Sequence, residues 1–366
     1  MLNEKKKIII AMSGGVDSSL AAKLLVDEGH DVLGIFLSFW KDSGSLNIEN
    51  KCCSAKALMD ARSICTQLGI RLYVLDFVQE FKKEIVDNFL SEYSIGNTPN
   101  PCVRCNKFVK IGLLIKKAKD LGYNYVATGH YARIKQIEVF KDCRRDINYS
   151  LFKGVDQRKD QSYYLYKFNQ KELSSLLFPL GSYKKEEVRV MAQNFKLSVA
   201  AKKESQEICF VPRDHNDFLK KYLVLKPGEI RTVDEEVVGR HQGLPLYTIG
   251  QRKGIEIGGV GPFYVVKKNE KNNVLYVTND ALDLNLFKNE LVVKEVNWID
   301  SKVRFLIACE AVIRYGSKGV KCIVKKQDSD CDQYLVKFDD EVRAVTSGQS
   351  IVFYNKNEVL GGGVIV

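Results

Sequence analysis

No stretch of the 366 residues approaches the roughly 18 consecutive apolar side chains that cross a membrane. The opening segment is not built as a secretory leader either. Its apolar run is about five residues long and meets Ser13-Gly14-Gly15, with no small-residue cleavage site behind a longer core. There is no internal repeat and no low-complexity tract. No GxxxxGKS/T loop follows a strand pattern, which argues against a P-loop kinase or GTPase. No GxGxxG opens the first helix, which argues against NAD binding. The one CxxC has no second CxxC near it, so a four-cysteine zinc site would have to recruit distant ligands.

What is present fits a folded chain of two or three domains without a membrane partner. The sequence is 45% hydrophobic, 28% charged and 10% aromatic, enough apolar material for a core in each domain. Lysine plus arginine total 56 against 45 aspartate plus glutamate, a net charge of +11. That surplus suits a polyanionic partner, and equally a lysine-rich but merely solvated surface. The expected compartment is the cytoplasm, where the ten cysteines would be mostly reduced. Closely spaced cysteines there are more often catalytic or metal-binding than structural.

The first half alternates strand and helix patterns. Strands are expected at Lys7–Met12, Asp31–Leu37, Arg71–Leu75 and Tyr125–Thr128. Helices are expected at Ser18–Glu28, Ala55–Leu68, Val78–Tyr93 and Lys107–Leu121. This alternation implies an α/β domain with a mostly parallel, Rossmann-like sheet covered on both faces. Tyr131–Lys153 reads as a polar hairpin or insertion, and Asp160–Gln193 has helical spacing broken at Pro179 and Gly181. After about residue 205 short strand-like runs alternate with turn signals, and from about residue 283 the runs are β throughout. The expected domains are therefore 1–205, a small central mixed domain at 206–280, and a C-terminal barrel-like domain at 281–366.

Ser13-Gly14-Gly15-Val16-Asp17-Ser18-Ser19 lies between the first strand and the first helix. Backbone N–H groups and the positive end of a helix dipole there make a site for phosphate or pyrophosphate. Two glycines let the backbone approach the anion, and the Ser13, Ser18 and Ser19 hydroxyls can donate to it. Asp17 could hold the Mg²⁺ that a nucleotide needs. The segment resembles the PP-loop of the ATP pyrophosphatases. The resemblance implies that ATP is split between its α- and β-phosphates, with adenylation of a carbonyl oxygen. It implies ATP contacts from Ala11, Met12, Ser13, Gly14, Gly15, Val16, Asp17, Ser18 and Ser19. Leu37 and Gly129, at the ends of later strands, should line the same edge. His130 reads as a hydrogen-bonding structural residue.

Thr98-Pro99-Asn100-Pro101-Cys102-Val103-Arg104-Cys105-Asn106 reads as a rigid, proline-bound loop before a helix. A thiol at a helix N-terminus is more acidic, and Arg104 and Lys107 push the same way, so Cys105 is a candidate nucleophile. Cys209 is the obvious further thiol; beside Ile208 and Phe210 it also suits a plain core position.

Taken with ATGHYAR, KDQSYYLY at 159–166, LFPLGSY at 177–183, SQEICF at 205–210 and GLPLYTIGQRKG at 243–254, these motifs run nearly end to end. In that order they resemble the tRNA-specific 2-thiouridylases of the MnmA family. The resemblance implies thiolation of the wobble uridine of Lys, Glu or Gln type tRNA, with Cys105 as nucleophile and Cys209 as persulfide carrier. A sulfur-relay protein or cysteine desulfurase would be the donor. Cys105 would attack the Cys209 persulfide, leaving a Cys105–Cys209 disulfide on turnover, or would free sulfide from it first. Contacts with tRNA are expected from Asn100, Pro101, Cys102, Lys159, Asp160 and Gln161. Others are expected from Arg252, Lys253, Arg314 and Tyr315 in the later domains. Family members often have aspartate where this chain has Cys102. Three thiols, Cys102, Cys105 and Cys209, could then bind a [4Fe–4S] cluster, the alternative route for sulfur. A different PP-loop ligase would need an ammonia source, and no glutaminase-like domain is visible. The remaining cysteines, Cys52, Cys53, Cys65, Cys143, Cys309, Cys322 and Cys331, read as inert.

Overall fold

The computed structural model describes residues 4–40, 54–141, 144–202, 208–211, 214–255, 257–258, 262–300, 306–327 and 332–366. The expected boundary at 205/206, the first half of the SQEICF motif and Cys52, Cys53, Cys143 and Cys331 lie outside the described residues.

The N-terminal half is the expected parallel α/β layer. β1 (Lys7–Met12), β2 (Asp31–Ser38), β3 (Leu72–Asp76), β4 (Tyr125–Ala127) and β7 (Leu176–Leu177) form a five-stranded sheet in the order β3-β2-β1-β4-β7. Every pairing in it is parallel. Alternate residues serve opposite faces, and both faces are covered. Ile9, Leu33 and Ile35 pack under Phe81, Phe89, Val109 and Leu114. Ile8, Ile10, Val32 and Phe36 pack against Leu20 and Leu25 of α1 (Val16–Asp27), α2 (Ala55–Gln67), and Val188 and Ala192 of α8 (Lys185–Asn194). The strand β7 is two residues long inside a stretch of helical spacing, too short for periodicity to reveal.

Two expected helices are interrupted. α3 (Val78–Phe81) passes through a π-helical stretch (Lys82–Asp87) into α4 (Asn88–Ser94). The loop expected around Cys102 is instead helix. Pro101 opens α5 (Pro101–Cys105), where its missing N–H costs nothing, and Asn100 caps it by accepting from the Val103 N–H at 3.3 Å. A second π-helical stretch (Asn106–Lys110) leads on to α6 (Gly112–Asp120).

β5 (Ala132–Lys141) and β6 (Arg144–Lys153) are the expected hairpin, but it serves the other end of the chain. Leu151 of β6 pairs with Val359 of β17 (Glu358–Ile365). Thereby the hairpin extends a C-terminal sheet of β12 (Phe287–Trp298), β13 (Leu306–Val312), β14 (Val320–Lys326), β15 (Gln333–Arg343), β16 (Ser350–Asn355) and β17. Pairing of Val293 with Ile365 joins β12 to β17 and closes these six strands into a barrel. Tyr166, fully buried, donates its hydroxyl to the Gly363 carbonyl at 3.1 Å. A ring buried that deeply stabilises the junction by roughly 2 to 3 kcal/mol. The central domain carries α9 (His215–Tyr222) and a four-stranded mixed sheet, β10 (Tyr264–Asn269), β11 (Val274–Thr278), β8 (Gly228–Thr232), β9 (Val237–His241) in that order. Among the described residues no helix is long and apolar enough to cross a membrane.

Candidate active site

Strand order reverses between β1 and β4, and the crevice at the carboxyl ends of those strands is where open α/β sheets bind ligands. Ser13-Gly14-Gly15 leaves β1 there, and Thr128-Gly129-His130 leaves β4. Gly14 has φ +67°, and a Cβ on it would lie 2.2 Å from the Ala57 carbonyl oxygen. A Cβ on Gly129 would lie 2.9 Å from the Ser18 nitrogen. The first loop thus meets the backbone of α2 and the second meets the start of α1, at distances no larger residue permits. α1 starts at Gly15 with no side-chain cap, so its first N–H groups face the crevice without a built-in acceptor.

A cavity of about 360 Å³ occupies this edge. Of the residues expected at ATP, Ala11, Met12, Ser13, Gly15, Val16, Asp17, Ser18, Leu37 and Gly129 line it. Gly14 and Ser19 do not. Gly14 turns the loop, and its carbonyl accepts from Lys202 Nζ at 2.9 Å. Ser19 is fully buried and donates back to the Gly15 carbonyl at 2.8 Å, so it shapes the loop rather than the cavity. A larger groove, about 550 Å³, runs past Lys6, Arg133 and Lys135 and holds none of the expected site residues.

Three cations missed in the sequence stand at this edge. Lys110 and Lys202 line the cavity, and Lys202 also pairs with Asp60 at 2.6 Å. Lys185 donates to both Asp17 oxygens, at 2.7 and 2.8 Å, and the Tyr131 hydroxyl adds a third bond at 2.8 Å. The carboxylate expected to hold Mg²⁺ thus already has a counter-ion. Because Lys185 lies 168 residues from Asp17, no local pattern announces it. His130 is buried and bonded to the Thr128 hydroxyl at 2.7 Å. Burial first, and Lys110 second, lower its pKa to about 3, so it stays neutral, as a structural imidazole should.

Cys209 lines the same cavity, half-buried. Its neighbour Phe210 is the anchor, with ring centroids 5.3 to 5.7 Å from Phe89, Phe218 and Phe81. Cys105 is 7% exposed and sits in the apolar cluster on which Cys209 packs, whereas Cys102 is the exposed thiol. Cys102 lies in the first turn of α5 and Cys105 at its last residue. The cations expected to acidify Cys105 are engaged elsewhere: Arg104 pairs with Glu84 at 2.7 Å and Lys107 with Glu172 at 2.6 Å. Among the described residues no three His, Cys, Asp or Glu side chains are gathered as a metal site, so Cys102, Cys105 and Cys209 are not assembled to hold a cluster. Cys65 is a core thiol, pushed up to about 11 by burial. Cys309 and Cys322 face each other across two barrel strands, Sγ to Sγ 3.7 Å.

A second face surrounds Cys102. Thr98 is held from both later domains: its N–H donates to the Ser347 carbonyl at 2.9 Å, Gln349 donates to its carbonyl at 2.8 Å, and its hydroxyl meets Thr248 at 3.3 Å. Asp160 is tied down by the Gly154 and Ser162 N–H groups at 2.9 and 3.1 Å, and burial raises its pKa. Gln161 lines the cavity at the glycine loop and accepts from the Tyr131 N–H. The Lys159 N–H is spent on the Asp156 carbonyl, at 3.1 Å. Arg314 donates to Ala344 and Thr346, both at 3.2 Å. The exposed Tyr315 ring lies 4.5 Å from that of Tyr164, whose hydroxyl is raised by burial and then by Cys102 beside it. Tyr164 went unread because its motif suggested only a capped turn. Arg252 and Lys253 are exposed, four and five residues beyond Thr248.

A parallel sheet with a glycine-turned phosphate loop at its switch point defines a PP-loop nucleotide enzyme. The family model described as tRNA methyl transferase HUP domain matches residues 6–213, that described as tRNA methyl transferase PRC-barrel domain matches 216–279, and that described as aminomethyltransferase beta-barrel domain matches 288–365. The chain is 44% identical to tRNA-specific 2-thiouridylase MnmA 2 of Thermoanaerobacter sp. (strain X514), covering 98% of this chain and 97% of the relative. It is 43% identical to tRNA-specific 2-thiouridylase MnmA of Carboxydothermus hydrogenoformans, covering 99% and 98%, and 42% identical to that of Proteus mirabilis, covering 99% and 98%. The chain belongs to the MnmA family of tRNA-specific 2-thiouridylases.

Proposed function

We propose that this chain converts a wobble uridine of tRNA to 2-thiouridine at the expense of ATP. The observation that carries the reading is a thiol, Cys209, opening into the same cavity as the phosphate loop. An anion loop alone suits any adenylating ligase, and a methyl transfer would need neither that loop nor a thiol. A phosphate loop and a nucleophilic sulfur facing one space suit adenylation followed by sulfur transfer.

ATP with Mg²⁺ lies along Ser13 to Ser18, with the adenine toward Leu37 and Gly129. The uridine leaves the anticodon stack so that its C2 oxygen can attack the α-phosphorus, releasing pyrophosphate. The outer sulfur of a Cys209 persulfide attacks C2, and AMP departs with the oxygen. The Cys105 thiolate then attacks the Cys209 sulfur. The S–S bond to the base breaks, the thiocarbonyl keeps the transferred sulfur, and a Cys105–Cys209 disulfide remains for an external thiol to reduce. Buried Cys105 comes to this step from the core side, shielded from solvent oxidants until Cys209 is used. Asn100, Pro101, Cys102, Lys159, Asp160, Gln161, Arg252, Lys253, Arg314 and Tyr315 belong to the tRNA face, to which we add Tyr164. An unstacked base would lie on the Tyr164–Tyr315 pair.

The test is thiolation of a wobble-uridine transcript with ATP and a persulfide donor, alongside iron and labile sulfide on anaerobically purified protein. Iron-free protein that thiolates, with thiolation abolished in Cys209→Ser while pyrophosphate release continues, is expected. About four irons per chain, lost together with activity in Cys102→Ala, would replace the persulfide by a cluster.

A further inference from the structure

Lys185 is 6% exposed, the only lysine or arginine buried among the described residues. Its backbone N–H donates to Asp156 at 2.9 Å where α8 begins, and its side chain reaches across to α1, ending on both oxygens of Asp17. Asp17 lines the nucleotide cavity, so this pair stands at the place where phosphates and metal would arrive. A divalent cation coming alone meets a carboxylate whose charge is already neutralised, with an ammonium within 2.8 Å to repel it. A nucleotide coming with the metal changes the balance. Its phosphate oxygens offer the ammonium a new acceptor at the same edge, and Asp17 is released to the metal.

We infer that Lys185 is a counter-ion that changes partners: it holds Asp17 until Mg²⁺–ATP enters, then passes Asp17 to the metal and turns to the phosphates. This deepens the nucleotide reading above and rests on it. The consequence is coupling, in which metal and nucleotide each bind weakly alone and strongly together. Lys185 is thus a positioning residue for Asp17, and Tyr131, bonded to the same carboxylate at 2.8 Å, keeps that group in place during the exchange.

The experiment measures binding of Mn²⁺ by electron paramagnetic resonance, and of α,β-methylene-ATP by calorimetry, each with and without the other. Full-length wild type, Lys185→Met, Lys185→Gln and Lys185→Arg are compared. Removing the ammonium should tighten Mn²⁺ binding to the nucleotide-free protein about tenfold and weaken nucleotide binding by a similar factor, while arginine restores most of the coupling. A gain of metal affinity is not something a damaged fold produces, and the glutamine variant retains a hydrogen-bonding side chain should methionine fail to fold. If wild type binds the nucleotide but Mn²⁺ affinity is unchanged in Met and Gln variants, the exchange is wrong and the pair is only structural. If wild type binds no nucleotide with or without Mn²⁺, the reading of the cavity falls and the exchange with it.

Discussion

The edge at the glycine loop takes its backbone from two loops and a helix start on one sheet, whereas the face around Cys102 draws on all three domains. Ser13 to Ser18 and Thr128 to His130 are each continuous in the chain, and β-strand pairing fixes their separation. Tyr164 meets Tyr315, and Thr98 meets Thr248 and Ser347, although each pair is far apart in the chain; these contacts join the N-terminal domain to the later ones. A site of the first kind tolerates no change in its backbone, although side chains from distant segments, Lys185 and Cys209 among them, complete it. A site of the second kind depends on domain docking and spreads its energy over many partial contacts.

The sharpest way to separate the two faces is Gly14→Ala. With Gly14 at φ +67° and a carbonyl 2.2 Å from the added carbon, the loop must shift. Pyrophosphate release should fall by about 100-fold or more, equivalent to roughly 2.7 kcal/mol, with tRNA affinity in a filter-binding assay unchanged. Equal loss of both would mean the faces are one cooperative unit.

Tyr164→Ala probes the other side. Stacking on an aromatic side chain contributes about 1 to 3 kcal/mol per base, so KM for tRNA should rise about tenfold while KM for ATP holds. Tyr164→Phe should keep most of the wild-type value, since the ring and not the hydroxyl makes the platform. A rise confined to KM for ATP would place Tyr164 with the nucleotide instead.

A further effect, read away from both faces, is on stability. His130 titrates near 6.5 when unfolded and near 3 when folded, so between those pH values the unfolded chain binds a proton that the folded chain refuses. Stability should therefore fall as pH drops through that window, by up to about 1.4 kcal/mol per pH unit from this residue. His215 and His241 are lowered by burial too and act in the same direction. His130→Gln should flatten the slope of urea-melt stability against pH by up to one proton. An unchanged slope would mean that His130 takes up its proton in the folded protein.

How far the sequence could be read follows the same division. The first strands and helices are close to expectation: Lys7–Met12 is β1 to the residue, and the expected Ala55–Leu68 helix is α2 at Ala55–Gln67. Period-2 and period-3.6 patterns report burial directly, and the glycine loop sits where strand turns to helix. The CxxC was read less well. Proline next to asparagine suggested a loop, yet Asn100 caps and Pro101 opens a helix, because a residue lacking an N–H fits the first helical turn. Arg104 and Lys107 were legible as cations but not as partners of Glu84 and Glu172, which lie 20 and 65 residues away.

The sequence by itself determined the parallel sheet, the phosphate loop at its switch point and the family, since each is written in contiguous residues whose backbone geometry is local. Tertiary structure alone decided that Lys185 neutralises Asp17 and that Phe210 anchors Cys209 at the cavity beside the glycine loop. It alone decided, too, that a hairpin of the N-terminal half extends the C-terminal barrel sheet. Those are contacts between segments far apart in the chain, and what selects them is the burial of side chains against partners that no local pattern names.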